Sequence, residues 1–290
     1  MSRRSCRVAV LGHTRRPGVR RAAALVRRLL ARRGCPVRIH EGLSEETGER
    51  GYSLSDLAGW CHLLVTLGGD GTALTGARAI AGGAAALLPV NLGGMGFLTV
   101  VEERDLPAAL KSAITGEWPV VRRRVVGAVV RRSGRAIHRG VALNDAVVKG
   151  GYAAIHLRMH ALGEDLGHMV ADGVIAATSA GSTAYSLSAG GPVVAPDMEA
   201  LIVTPVCAHS LASRSLILPA GSPVRLKLIN AFDRTLLLFD GQESVGLRRG
   251  DEVELRLERK SVRVVWNPHG SFARALLEKL GWQGSTRRSM

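Results

Sequence analysis

Two hydrophobic periodicities meet near residue 120, and a chain that carries both needs two differently built domains. Before that point short apolar runs alternate with stretches of helical spacing. Residues 7–12 (RVAVLG) read as a buried strand ending on a glycine turn. Residues 18–33 carry Ala22, Leu25, Val26, Leu29 and Leu30 on one helical face, and Gly34 and Pro36 stop the pattern. Residues 37–40, 61–67 and 87–92 read as further strands, 41–59 as loop with a short helix, and helix-compatible sequence follows Gly71. Such alternation predicts a parallel sheet covered by helices. Beyond residue 120 the stretches 125–131, 153–161, 224–229, 235–239, 253–257 and 261–266 are short, β-rich and separated by Gly, Asn and Asp, an all-β pattern. Residues 272–280 (FARALLEKL) return to helical spacing. The expected organisation is an α/β domain over 1–115, an all-β domain over 116–268, and a C-terminal helix and tail over 269–290 packing on the first domain.

Composition narrows the function classes. With 290 residues, 46% of them apolar, the chain can bury a core in each domain. No apolar run approaches the ~20 residues of a membrane-spanning helix. The opening Met1-Ser2-Arg3-Arg4-Ser5-Cys6-Arg7 lacks a signal-type apolar stretch. The expectation is a soluble, cytoplasmic protein with no membrane partner. A formal net charge of +15 favours anionic partners. The arginines are scattered, however, and aromatics at 4% are too few for a base-stacking platform, so no nucleic-acid partner is expected. Cys6, Cys35, Cys61 and Cys207 show no CxxC spacing and read as reduced packing residues. The nine histidines form no metal-ligand spacing, so no dedicated protein metal site is expected.

Five stretches carry chemistry. Leu67-Gly68-Gly69-Asp70-Gly71-Thr72 closes an apolar strand. Glycines there admit close backbone approach, and successive N–H groups can cradle phosphate through Gly68, Gly69, Gly71 and Thr72. No GxxxxGK[ST] occurs in the chain, and Leu74 stands where the dinucleotide fingerprint needs Gly or Ala. What remains is one carboxylate, Asp70, suited to a general base or a magnesium contact beside phosphate; a tight turn capped by Asp70 fits the same residues. In Asn91-Leu92-Gly93-Gly94-Met95-Gly96-Phe97-Leu98, Phe97 can stack on a base or fill a core. Asn144-Asp145 can bind vicinal ribose hydroxyls or form a turn. Residues 171–192 (ADGVIAATSAGSTAYSLSAGGP) concentrate small and hydroxyl residues around Asp172 and Tyr185, and at that length a purely structural turn is a poor account. Asp240-Gly241-Gln242 reads most simply as a hairpin turn.

In this order the five stretches resemble the NAD kinase family along nearly the whole chain. GSTAYSLSAGGP is highly specific, whereas GGDG is shared with lipid kinases and phosphofructokinase-like folds. The resemblance implies a Rossmann-like N-terminal domain, an all-β C-terminal domain, a nucleotide site in the crevice between them, and a homodimer or homotetramer. It implies transfer of the terminal phosphate of ATP or polyphosphate to the 2′-hydroxyl of the adenosine ribose of NAD, with magnesium carried on the donor. By position, Asp70 matches the catalytic aspartate, Gly71 its phosphate-side partner, and Phe97 a residue beside the adenine. Asn144 and Asp145 match the pair that holds ribose hydroxyls. Asp172 and the run Thr183, Ala184, Tyr185, Ser186, Leu187 and Ser188 match the NAD-binding segment, and Gln242 a further NAD contact. One departure is local: Thr178-Ser179-Ala180 stands where the family has TPT before GSTAY. The alternative it raises is a paralogue acting on NADH or another nucleoside, or a non-catalytic dinucleotide binder; retention of Asp70 favours catalysis.

Overall fold

In the computed structural model, residues 6–13, 17–44, 48–93, 96–99 and 101–281 are described. The chain forms two units, Met1–Arg122 with Val262–Met290, and Arg123–Ser261.

The first unit begins with strand β1 (Val8–Gly12), every residue of it buried. Helix α1 (Val19–Ala31) lays Val19, Ala22, Ala23, Val26 and Leu30 against the sheet, the 3–4 spacing that makes one apolar face. Strands β2 (Val37–His40) and β3 (Gly51–Tyr52), helix α2 (Leu54–Trp60), β4 (Leu63–Gly68), helix α3 (Asp70–Ile80) and β5 (Ala86–Asn91) follow. The strands pair in parallel in the order β3-β2-β1-β4-β5. The outer edge of β5 is shared in parallel by β6 (Val101–Glu102) near its end and by Arg263 and Val264 near its start. Buried on both faces, β1, β4 and β5 read as continuous apolar runs rather than alternations, as parallel strands under helices must. Helix α4 (Leu106–Thr115) takes Pro at its first turn and ends on Gly116 at φ 75°, a left-handed cap that glycine adopts without strain. The last helix spans Phe272–Leu280, with the Ser271 side chain accepting from Arg274 N–H. The tail at 282–290 lies outside the described residues, as do Gly94 and Met95 of the second glycine-rich stretch.

The second unit is a sandwich of two antiparallel sheets. One contains β7 (Val120–Arg132), β8 (Arg135–Ala142), β10 (Ile155–Ala161), β11 (Glu164–Ala171), β15 (Val224–Asn230) and β18 (Glu252–Val265), in the order β11-β10-β15-β18-β7-β8. The other contains β9 (Asp145–Lys149), β12 (Gly173–Thr178), β13 (Ala200–Val206), β14 (Leu216–Pro219), β16 (Leu236–Phe239) and β17 (Glu243–Gly246), in the order β14-β13-β12-β9-β16-β17. Their facing side chains, among them Val126, Leu157, Leu226, Val148, Val174 and Phe239, form one core. The stretches 253–257 and 261–266, which read as two strands, are the single strand β18. Glu258, Arg259 and Lys260 interrupt the apolar alternation without breaking the backbone, because the strand passes there from one unit to the other.

Candidate functional site

In the first unit the Gly-rich stretch is the β4–α3 junction. Gly69 caps a helix whose first residue is Asp70, so the positive end of the helix dipole and the amide groups of its first turn face outward from the strand end. Thr72 is buried, and a side chain at Gly68 would come within 2.4 Å of its hydroxyl oxygen, so the strand can end this close to the helix only on glycine. Gly69 is half-buried and Gly71 exposed.

The Asp70 carboxylate is held by one loop. Oδ2 accepts from Phe97 N–H at 2.9 Å, and Oδ1 from Leu98 N–H at 3.3 Å, Thr99 N–H at 3.1 Å and the Thr99 hydroxyl at 3.0 Å. A Cβ at Gly96 would lie 1.9 Å from Oδ1, so the loop wraps the carboxylate only because residue 96 has no side chain. The Phe97 ring lies 4.4 Å from the Lys279 ammonium of the C-terminal helix, and its amide, not its ring, meets Asp70. A cavity of about 210 Å³ lined by Asn91, Gly96, Thr99, Asn267, His269 and Arg274 backs this loop.

In the second unit the chemistry gathers at one end of β9 and β12. Asp240, in the left-handed region at φ 50°, turns the β16–β17 hairpin and points its carboxylate at three amides. Leu143, Asn144 and Asp145 N–H donate to it at 3.0, 2.7 and 3.3 Å. Asp145 pairs with Ala177 across the sheet and is 5% exposed. Burial and then the neighbouring Asp240 carboxylate push its carboxyl up to about 7, against the backbone N–H of Tyr185, which donates to it. The segment after β12 closes over the same place. Thr178 N–H donates to Asn144 O at 2.8 Å, its hydroxyl to Leu143 O at 2.7 Å, and Gly181 N–H to that hydroxyl at 3.0 Å. A Cβ at Gly181 would stand 2.1 Å from Asn144 O, so this turn also needs glycine. Ser182 is buried on Val194, and Ser186 meets Thr204 at 2.8 Å, which anchors the short helix Tyr185–Ser188 from below. Tyr185 and Ser188 are exposed, while Thr183, Ala184 and Leu187 are half-buried.

One observation points outward. The Asn144 side-chain oxygen is buried without a hydrogen-bond partner among the described residues. Such an acceptor costs about 1–3 kcal/mol until a donor reaches it. A ribose hydroxyl is a donor of the right kind. The structure thus brings together Asn144, Asp145 and the run from Thr183 to Ser188. Gln242 is exposed on the Asp240 turn, its N–H donating to Phe239 O. It does not bring Asp172 to that cluster: Asp172 precedes Gly173, which pairs with Lys149, at the opposite end of β12 from Thr178. Sequence reasoning missed Asp240, read only as a turn, together with Thr99. Among the described residues no group of three or more His, Cys, Asp or Glu side chains could hold a metal ion, and no helix is long and apolar enough to cross a membrane.

Comparison with known proteins accounts for both halves. Residues 8–118 match the ATP-NAD kinase N-terminal domain, and residues 143–266 the ATP-NAD kinase C-terminal domain. The NAD kinase of Desulforamulus reducens is 39% identical over 238 residues, 81% of this chain and 83% of its own. NAD kinase 2 of Streptomyces coelicolor is 35% identical over 291 residues, 96% of this chain and 97% of its own. Among solved structures, yeast NADH kinase complexed with NADH superposes with a TM-score of 0.89 at 28% identity, over 99% of this chain and 90% of its own. An Archaeoglobus fulgidus NAD kinase in complex with ATP, 22% identical, shares the fold with a TM-score of 0.76 over 96% of this chain and all of its own. With both domain models matched in order and relatives above 30% identity along most of its length, this chain belongs to the NAD kinase family.

Proposed function

We propose that the chain transfers the terminal phosphate of ATP, or of polyphosphate, to the 2′-hydroxyl of the adenosine ribose of NAD, the step that completes NADP biosynthesis. The observation that carries this reading is the Asp70 carboxylate, caged at a helix N-terminus by three amides and a hydroxyl. A 2′-hydroxyl is a poor nucleophile, and it needs a base held still beside the phosphate it attacks. Asp70 accepts the hydroxyl proton as the new P–O bond forms. The amides of Gly69 and Gly71 and the helix dipole stabilise the charge on the transferring group. The second unit holds the acceptor: the Asn144 oxygen accepts from a ribose hydroxyl, Asp145 and Asp240 fix the backbone around it, and the exposed Tyr185 supplies a flat face. Gln242 and Ser188 extend that surface.

Magnesium belongs to this reading as an ion carried on the donor phosphates, where it would neutralise phosphate charge. Such ions are held chiefly by substrate phosphates and water with one or two carboxylates. NAD rather than NADH as the acceptor is supported by the names of the 35–39% identical relatives. A homodimer or homotetramer working in the cytoplasm is the part of the reading carried by family resemblance alone. Asp172, remote from the cluster within its own unit, is placed in NAD binding on the same ground.

The role assignment is tested by steady-state kinetics. Asn144→Ala and Tyr185→Ala should raise KM for NAD several-fold more than KM for ATP. A larger effect on ATP would mean that the acceptor and donor sites have been exchanged.

A further inference from the structure

Three of the four cysteines, far apart in sequence, each stand two residues before a register-paired position of three neighbouring parallel strands. The pairs Val8↔Val37 and Val8↔Leu63 fix β1 against β2 and β4. Two residues back along each chain segment stand Cys6, Cys35 and Cys61. Val8 N–H donates to Pro36 O at 3.0 Å and His62 N–H to Arg7 O at 2.8 Å, so β1 is tied to both neighbours one residue in from the cysteines. Side chains two apart share a face. Cys35 lies in the core under helix α1, and Cys6 packs against that core. Neighbouring strands run about 4.8 Å apart, within the roughly 4.4–6.8 Å between the Cα atoms of a disulfide. All four cysteines are free thiols here. Cys35 and Cys61 are buried and Cys6 is half-buried, the most accessible of the three. Burial and then Cys35 push the Cys6 thiol up; burial pushes Cys61 up to about 11, with Cys6 a smaller cause.

We propose that Cys6 and Cys35 form a dithiol that a peroxide converts into a reversible disulfide, tying β1 to β2. Cys6 is reached first. Its thiolate attacks a peroxide oxygen, the O–O bond breaks, and the departing hydroxide takes a proton to leave as water. Cys6 is then a sulfenic acid. The Cys35 sulfur attacks it, the S–O bond breaks, and the hydroxyl leaves as water with the Cys35 proton. Two thiols and one peroxide give one disulfide and two waters. Cys61 is the poorer resolving partner because it does not join the core cluster that holds Cys35 and packs against Cys6. The raised thiols make the first step slow at neutral pH and faster as pH rises, since only the thiolate attacks. The site lies before the parallel strands begin, whereas Asp70 follows the end of β4, so the disulfide forms away from the phosphoryl-transfer residues.

The test is peptide mapping of the full chain after hydrogen peroxide and alkylation of the remaining thiols. The expected product is lighter by two hydrogens, yields a Cys6–Cys35 cross-linked peptide, reverts with dithiothreitol, and forms faster at higher pH. Cys207→Ser should form the same bond, and Cys35→Ser should let Cys6 run on to sulfinic acid. The mapping of the unsubstituted chain decides the matter whether or not a variant folds. Sulfinic Cys6 without a cross-link, a Cys6–Cys61 bond in its place, or four alkylatable thiols after peroxide that oxidises free dithiothreitol would each overturn the proposal.

Discussion

Asp70 has two unequal oxygens. A carboxylate offers about four lone-pair sites. Oδ1 accepts three hydrogen bonds and Oδ2 one, so the proton of an incoming hydroxyl has room at Oδ2. Asp70→Asn replaces one acceptor by a donor facing backbone N–H groups. It should lower kcat by roughly 10²–10⁴, the worth of a general base, and cost about 1–3 kcal/mol of stability for the mismatched donor. Near-native turnover in a folded variant would remove Asp70 from the mechanism. Asp145 makes a separate prediction in pH. Burial and Asp240 push its folded carboxyl up to about 7, against about 3.9 when unfolded. Between those values the folded chain holds a proton that the unfolded chain releases, so this group lowers stability as pH rises through that window and adds no further change above it. Asp145→Asn keeps an acceptor for the Tyr185 N–H and abolishes the titration. The melting temperature of the variant minus that of the native chain should climb from about pH 4 to about pH 7 and then level. A difference that stays flat across that range would show that the carboxyl is not held protonated.

At the scale of elements, the turn after β12 decides how the proposed acceptor site is held. Gly181→Ala would place a methyl against Asn144 backbone that cannot retreat, and should raise KM for NAD sharply while leaving the first unit folded, as measured by kinetics with hydrogen exchange. Ser179→Pro behaves differently. Ser179 has φ −60°, which proline shares, and Thr178 before it is extended, as a residue preceding proline prefers. Chain entropy would favour the change by about 0.4–1 kcal/mol. The Ser179 hydroxyl, however, donates to Met198 O at 2.6 Å, a bond worth about 0.5–1.5 kcal/mol net. The two offset, so KM for NAD should move by no more than a few-fold, and a total loss of activity would mean the turn has another conformation when NAD is bound. What was legible in sequence follows the same divide. Strand 37–40 and helix 272–280 stand where their spacing put them, because their apolar faces are local signals. Strands β8 and β11 are mostly polar edge strands with no alternation to read, and only their hairpin partners define them. Helix Leu106–Thr115 is short and begins Leu-Pro, and it was hidden in a weak pattern. Asp240 and Gly96 act on residues 95 or more and 26 positions away, so nothing local shows what they hold.

For the whole molecule, the two periodicities that meet near residue 120 correspond to two units, to which the proposal gives separate tasks. A parallel sheet ends in a glycine junction that suits phosphate, and an antiparallel sandwich ends in an amide oxygen that lacks a donor. The surplus positive charge is spent partly inside the structure: Arg38 stacks on Trp60 and Tyr52, and Arg132 holds the buried Asp251 with two hydrogen bonds. Membership in the NAD kinase family joins the two tasks in one reaction. That reaction is tested most directly by incubating the purified chain with NAD, magnesium and either ATP or polyphosphate, then fixing the position of the new phosphate by mass and nuclear magnetic resonance. The account predicts NADP phosphorylated at the 2′-oxygen of the adenosine ribose, formed only with a phosphate donor and lost in Asp70→Asn. A folded chain that yields no 2′-phosphorylated NAD with either donor would contradict it.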